Sequence, residues 1–228
     1  MNKTLIFIPA RSGSKRIKNK NIRKVNGKPL IYWTIEYAKK NTKNNEDIIV
    51  SSDSNYIHKI SIGEKVRFFK RPKNISGDKA EVYFAVVHAL NKIKNSEKYK
   101  YIALLQPTSP IRPKNMIFNG IKTLKKNKNF QNLIHLERTY YKVGSLSKKK
   151  EWEPLYDYTV RGQDIANQFR PSGCLFLYIR KDFENYKKFI KRKNYGFIQK
   201  EKIETVNIDN EEDFIKLRFL LKSGKNLY

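Results

Sequence analysis

Cysteine occurs once, at Cys174, which excludes an internal disulfide and any zinc site built on cysteines. Histidine is nearly as scarce, and His58, His88 and His135 are too scattered to form a metal cluster. No apolar run approaches the roughly 18 to 20 residues a membrane span needs. Met1-Asn2-Lys3 leads straight into a short strand without a signal-peptide core, so a cytoplasmic chain with no membrane partner is expected. Acidic residues are few, 21 against 49 Lys and Arg, giving a formal net charge of +28. A surface that basic attracts any polyanion, nucleic acid included. The lysines, however, are spread over nearly the whole chain and arrive with many Asn and Ile, a mixture that AT-rich codons alone produce. Most of them are read as a solvated coat. A nucleic-acid binder also needs aromatics exposed among lysines, whereas the aromatics of "YWTIEY" are spaced for burial in a helix. Nucleic acid is therefore not the expected partner, although a basic nucleic-acid-binding protein stays as the alternative from another class.

What the chain does have is enough apolar material for a core: 228 residues, 39% hydrophobic and 13% aromatic. Residues 4–9 form a continuous apolar run closed by Pro9, the pattern of a strand buried on both faces. Residues 29–40 read as an amphipathic helix with Pro29 at its first position. Strands at 47–51, 66–70, 101–106 and 132–136 then alternate with helices at 54–62, 79–94 and 113–126, Ser54 serving as an N-cap. From 139 to 168 the pattern fails, and a short hairpin is expected around Lys148–Lys150. Strand 174–179, helix 181–191, strand 204–208 and helix 210–222 complete the chain. Alternation with short connections predicts an α/β fold, a Rossmann-like, mostly parallel sheet with helices on both faces. The chain is read as a single domain, 1–228, carrying an insertion at 139–168 suited to oligomer contacts.

Charge is concentrated in one place. The stretch "IFIPARSGSKRIKNKNIRKVNGKPL" packs Arg11, Lys15, Arg16, Lys18, Lys20, Arg23, Lys24 and Lys28 behind the first strand. In parallel sheets ligands bind where strands end at their carboxyl edge, and this loop begins there. Its guanidinium groups, ammonium groups and backbone amides around Gly13 suit phosphate oxygens. The GxxxxGK[ST] spacing is absent, so this is a phosphate-binding loop of another kind.

The pieces "IPARSGSKRIKNKNI" with "NGKPLI", "IIVSSDS", "RPKNISGDKA", "LLQPTSPIRP", "QFRPSGCLFLY" and "NIDNEEDF" follow one another at sensible intervals. In that order they resemble the acylneuraminate cytidylyltransferases, which activate sialic acids and related acidic nine-carbon sugars with CTP. The resemblance covers nearly the whole chain. It implies a homodimer joined through the insertion, and bacterial surface glycan synthesis as the setting. An octulosonate cytidylyltransferase is the alternative within the enzyme class, but those enzymes usually carry an acidic residue where this chain has "QPTS".

The same resemblance implies residue roles. Ala10, Arg11, Ser12, Gly13, Ser14, Lys20 and Asn21 would bind the nucleotide, together with Arg71 and Asp78. Arg11, Lys20 and Asp209 would carry the chemistry. Gln106, Thr108, Ser109 and Arg170 would contact the sugar. Relatives commonly have an arginine directly before a Gln-Asp pair; here that position is Gly162, so Arg161 and Gln163 are the sugar candidates on either side of it. Asp209 would hold Mg²⁺. Many relatives place two aspartates there, whereas this chain has Asn207-Ile208-Asp209, so Asn207 offers a carbonyl oxygen and one negative charge fewer. "SKRI", where sialate enzymes often have glycine after the lysine, tilts the sugar away from plain N-acetylneuraminate.

Overall fold

Strand β1, Lys3–Pro9, lies inside a seven-stranded sheet, third from one edge, and Leu5, Ile6, Phe7 and Ile8 are buried on both of its faces. The computed structural model describes residues 3–14, 16–77, 80–139, 141–155, 157, 159–161, 168–183, 194–198 and 205–223. After β1 come a two-stranded hairpin, β2 (Lys24–Val25) and β3 (Lys28–Pro29), and helix α1, Leu30–Lys40. Asn26 (φ 47°) and Gly27 (φ 76°) supply the two left-handed residues that a tight hairpin turn demands. Then follow β4 (Ile48–Ser52), α2 (Asn55–Gly63), β5 (Arg67–Lys70), α3 (Val82–Lys92), β6 (Tyr99–Leu104), α4 (Met116–Lys126) and β7 (Asn132–Arg138). The remaining elements are β8 (Gly144–Leu146), β9 (Trp152–Pro154), β10 (Phe169–Ile179), α5 (Arg180–Phe183), β11 (Tyr195–Phe197) and α6 (Glu211–Lys222).

The sheet order is β11-β7-β10-β6-β1-β4-β5. β1 pairs in parallel with β4 and β6, β4 with β5, and β11 with β7, while β10 runs antiparallel to β6. The mostly parallel α/β architecture expected from the alternation is therefore present. Starting from β1 the chain steps outward to β4 and β5, then returns to place β6 on the other side. That reversal opens a crevice at the carboxyl ends of β1 and β6.

The main hydrophobic cluster joins Ile6 and Ile8 of β1 to Ile31, Ile35 and Ala38 of α1, Ile57 of α2 and Met116, Ile117 and Leu124 of α4. A second cluster decides where the site lies. Phe214, Leu217 and Leu220 of α6, with Val206 and Ile208 ahead of them, pack on Ile17, Val25 and Leu30. Residues 206–220 are thereby folded onto the basic loop.

Some boundaries differ from the sequence reading, for local reasons. Pro29 caps α1 instead of entering it. Helix α4 begins at Met116, since Asn115 adopts a left-handed φ of 58° and ends the preceding turn. Residues 205–208, read as part of a strand, form none; the Ile208 N–H instead donates to the Thr108 carbonyl at 2.7 Å. Of the helix expected at 181–191, residues beyond Phe183 lie outside the described ones. The short parallel strand β11 was not foreseen.

Two compact units divide the chain: Met1–His135 with Ser172–Tyr228, and Leu136–Pro171. The second contains the β8–β9 hairpin, in register Gly144↔Pro154 and Leu146↔Trp152. A Cβ at Gly144 would lie 2.5 Å from both the Glu153 carbonyl and the Trp152 indole nitrogen, so only glycine lets the two strands close there.

Candidate functional site

Past Pro9 the backbone stays in the sheet for one more residue. The Ala10 N–H donates to the Ser51 carbonyl at 2.9 Å, and Ala10 is fully buried. Its amide is thus committed to the fold. Ser12 is caught by Asp53, just beyond β4: its N–H donates to Oδ1 at 2.7 Å and its hydroxyl to Oδ2 at 2.6 Å. Asn21, in the 3-10 turn Lys20–Ile22, donates its side-chain amide to the Arg11 carbonyl at 2.9 Å. The loop is therefore tied at both ends.

A cavity of about 340 Å³ lies at the carboxyl edge of the sheet. Pro9, Arg11, Gly13, Ser14, Lys20 and Asn21 line one side, Arg71, Gly77, Ala80 and Val82 a second, and Gln106, Pro107 and Thr108 a third. Its size suits a small ligand, and its position is the crevice where the strand order reverses.

Three cations reach this cavity. Arg71 is buried, with Nη2 donating to the Ser51 carbonyl at 2.9 Å and Nε to the Ser51 hydroxyl at 3.3 Å. Burial pulls its pKa down to about 10, Asp53 opposing and Arg11 adding to the pull, so it stays charged at neutral pH. Lys20 donates from Nζ to the Ile208 carbonyl at 2.6 Å and sits 3.6 Å from Asp209 Oδ1. Its pKa also falls, through burial first, against the raising effect of Asp209. Cations held at such a desolvation cost are favourably placed for an anionic ligand.

The polar third wall is built from beneath. Arg112, fully buried, donates to the Gln106 carbonyl (2.7 Å), the Cys174 carbonyl (2.9 Å) and the Thr34 hydroxyl (3.0 Å). Ser109 is also fully buried, its hydroxyl donating to the Ser172 carbonyl at 2.8 Å. Gly173 holds a φ of 76° against Gln106 and Ser109. Beside Lys20, Asp209 pairs with Arg16 at 3.4 Å and accepts a hydrogen bond from the Asn207 amide at 2.6 Å.

Of the residues singled out from the sequence, Arg11, Gly13, Ser14, Lys20, Asn21, Arg71, Gln106 and Thr108 line the cavity. Asp209 is joined to that group through Lys20. Ala10, Ser12 and Ser109 are bonded into the scaffold. Arg161 and Arg170 belong to the smaller unit, where Arg170 Nε pairs with Glu137 at 2.9 Å and its guanidinium lies 5.9 Å from the Tyr141 ring centre. Asp78 and Gln163 lie outside the described residues. Sequence reasoning missed Asp53, Ser51, Arg112 and Gly173. "SSDS" and "PSG" were visible as motifs, but no local pattern showed what their side chains and backbone would touch.

A mostly parallel α/β sheet with a cation-lined cavity at its topological switch point defines a class of nucleotide-handling folds. The family model described as Cytidylyltransferase matches residues 5–227, and the chain belongs to that family. It is 29% identical to an N-acylneuraminate cytidylyltransferase of Escherichia coli O18:K1:H7 (strain RS218 / NMEC) over 98% of this chain and 53% of that protein. It is 31% identical to a pseudaminic acid cytidylyltransferase of Campylobacter jejuni (strain 81-176) over 77% of this chain and 78% of that one. The chain spans about half the length of the E. coli relative. Among solved structures, a CMP:2-keto-3-deoxy-manno-octonic acid synthetase complexed with CTP shares the fold, with a TM-score of 0.71 at 16% identity over 97% of this chain and 99% of that one.

Proposed function

We propose that this chain transfers the CMP unit of CTP to an acidic nine-carbon sugar of the sialic, legionaminic or pseudaminic type, releasing pyrophosphate, for bacterial surface glycan synthesis. One observation carries the reading. Arg11, Lys20 and Arg71 converge on a single cavity whose facing wall is the neutral, hydrogen-bonding pair Gln106 and Thr108. The cations suit a triphosphate; the amide and hydroxyl suit a sugar. Relatives named for N-acylneuraminate and for pseudaminic acid support the sugar class.

In the reaction the sugar's anomeric hydroxyl attacks the α-phosphorus, the bond from that phosphorus to the bridging oxygen of the β-phosphate breaks, and the hydroxyl proton passes to solvent. Negative charge grows on the departing pyrophosphate. Lys20 and Arg11 meet it there, and Lys20, already held on the Ile208 carbonyl, need not reorganise. Arg71, anchored on Ser51, holds the nucleotide from the segment after β5.

The residues present fit a Mg²⁺ ion. The Asn207 amide nitrogen donates to the Asp209 carboxylate at 2.6 Å, which sets the two side-chain oxygens, hard donors both, close to each other, and Mg²⁺ ordinarily takes one or two protein ligands and completes its shell with water and phosphate. The Asn207 amide would turn its carbonyl oxygen toward the ion. When bound, the ion supplies positive charge among the phosphates and lowers the pKa of a hydroxyl that it touches.

The unit Leu136–Pro171 exposes Tyr141, Val143, Leu146, Trp152 and Leu155, apolar surface that suits a homodimer interface. No described helix is long and apolar enough to cross a membrane, and with CTP a cytosolic nucleotide the enzyme is assigned to the cytoplasm.

Pyrophosphate release with CTP, Mg²⁺ and each sugar in turn, with the octulosonate included, tests the reading. Release with a nine-carbon acid is expected. Release with the octulosonate alone, or with no sugar, would overturn it.

A further inference from the structure

The carboxyl end of β4 grips two walls of the cavity at once. Ser51 holds the Arg71 guanidinium, the Ser52 carbonyl accepts from the Arg71 backbone N–H at 2.7 Å, and Asp53 holds Ser12 through both oxygens. Asp53 is only partly buried and lies 41 residues from Ser12 in sequence, yet both of its oxygens accept hydrogen bonds from that one loop residue. A carboxylate beside a polyanion site repels the ligand, so its presence needs a compensating use. Ser12 shows what that use is. Its N–H and O–H point the same way, and a carboxylate accepts both, the 2.6 Å hydroxyl contact lying in the strong, charge-assisted range.

Resting on the reading of the cavity as a nucleotide site, we propose that Asp53 is a positioning residue for CTP: it docks Ser12 onto β4 so that Arg11 on one side and Gly13 and Ser14 on the other face the cavity. Asp53 does not touch the ligand itself. Asn21 holds the Arg11 carbonyl and Asp53 holds Ser12, the next residue, so without Asp53 the anchoring of the loop stops at Arg11. The Asp53 charge also acts on Arg71, and burial, which works to raise the Asp53 pKa, is overcome by the Ser12 bonds, which hold the carboxyl below its ordinary range.

The test is CTP affinity in the presence of Mg²⁺, measured by titration calorimetry on the full chain, with thermal melting recorded for every variant. D53A is expected to weaken CTP about tenfold, and S12A, which loses one of the two bonds, about threefold. D53N, whose amide oxygen still accepts the Ser12 N–H while its NH₂ can donate to the Ser12 hydroxyl, should recover most of the affinity despite losing the charge. An unchanged or tighter CTP affinity in D53A would overturn the proposal, as would D53N behaving like D53A. R11A separates the two layers of the argument. If R11A leaves CTP binding intact, the nucleotide reading of the cavity fails; if R11A weakens binding and neither D53A nor S12A does, only the role of Asp53 fails.

Discussion

Gly173 and Gln106 pack so closely that a Cβ on the glycine would lie 2.7 Å from the Gln106 side-chain oxygen, and 2.5 Å from the Ser109 hydroxyl. The glycine also holds a left-handed φ of 76°. Any side chain here meets backbone strain and a steric clash together. G173A should therefore lose about 1–3 kcal/mol of stability in urea unfolding. It should also raise the KM for the sugar more than that for CTP, since Gln106 must move. Equal changes in both would remove Gln106 from the sugar wall.

Arg112 is buried with its guanidinium spread over three acceptors, the Gln106 and Cys174 carbonyls and the Thr34 hydroxyl. Replacing it with methionine keeps much of the volume and strands those acceptors in a dry interior. A loss of roughly 3 kcal/mol in urea unfolding is expected, because buried polar groups without partners are costly. A variant as stable as the parent would mean that water or a shifted neighbour takes over the bonds.

At the proposed Mg²⁺ site a carboxylate in place of the Asn207 amide would add a second negative charge beside Asp209. N207D puts two negative charges where the Asn207 amide and Asp209 now meet at 2.6 Å. Without divalent ions the pair should repel and lower the melting temperature. With Mg²⁺ the melting temperature should recover and the half-saturating Mg²⁺ concentration should fall about fivefold. Insensitivity of both quantities to the substitution would take Asn207 out of the metal site.

Lys20 gives a pH dependence with opposite signs in binding and in stability. Its folded pKa is lowered by burial, so on raising the pH the native state releases this proton before the unfolded chain does. Between the lowered pKa and the ordinary lysine value the unfolded state binds more protons, and this group's contribution to stability rises with pH. CTP affinity should fall over the same window as the ammonium is lost. K20R keeps its charge and should move the alkaline limb of the affinity profile upward. An identical limb in K20R would assign the loss to another group.

The apolar runs of β1, β4 and β6 made the sheet legible, because strands buried on both faces have no reason to alternate. The basic loop was legible for a different reason: charge was dense just where a parallel sheet binds ligands. Asp53 was not, since a hydrogen bond spanning 41 residues leaves no periodicity in either segment. Arg112 was hidden by its type, as an arginine in a proline-rich turn ordinarily points to solvent. Residues 205–208 carried the alternation of a strand, but Val206 and Ile208 spend their apolar side chains on the first loop instead of on a neighbouring strand.

Packing α6 onto that loop has a consequence for synthesis. The Lys20 ammonium and the Ile208 carbonyl it touches are separated by 188 positions along the chain. Until residues 208 and 209 have been synthesised, the lysine has neither its carbonyl nor Asp209 to meet. The bracing of Lys20, one of the residues lining the cavity, is therefore completed late, by a segment far along the chain from the loop it supports.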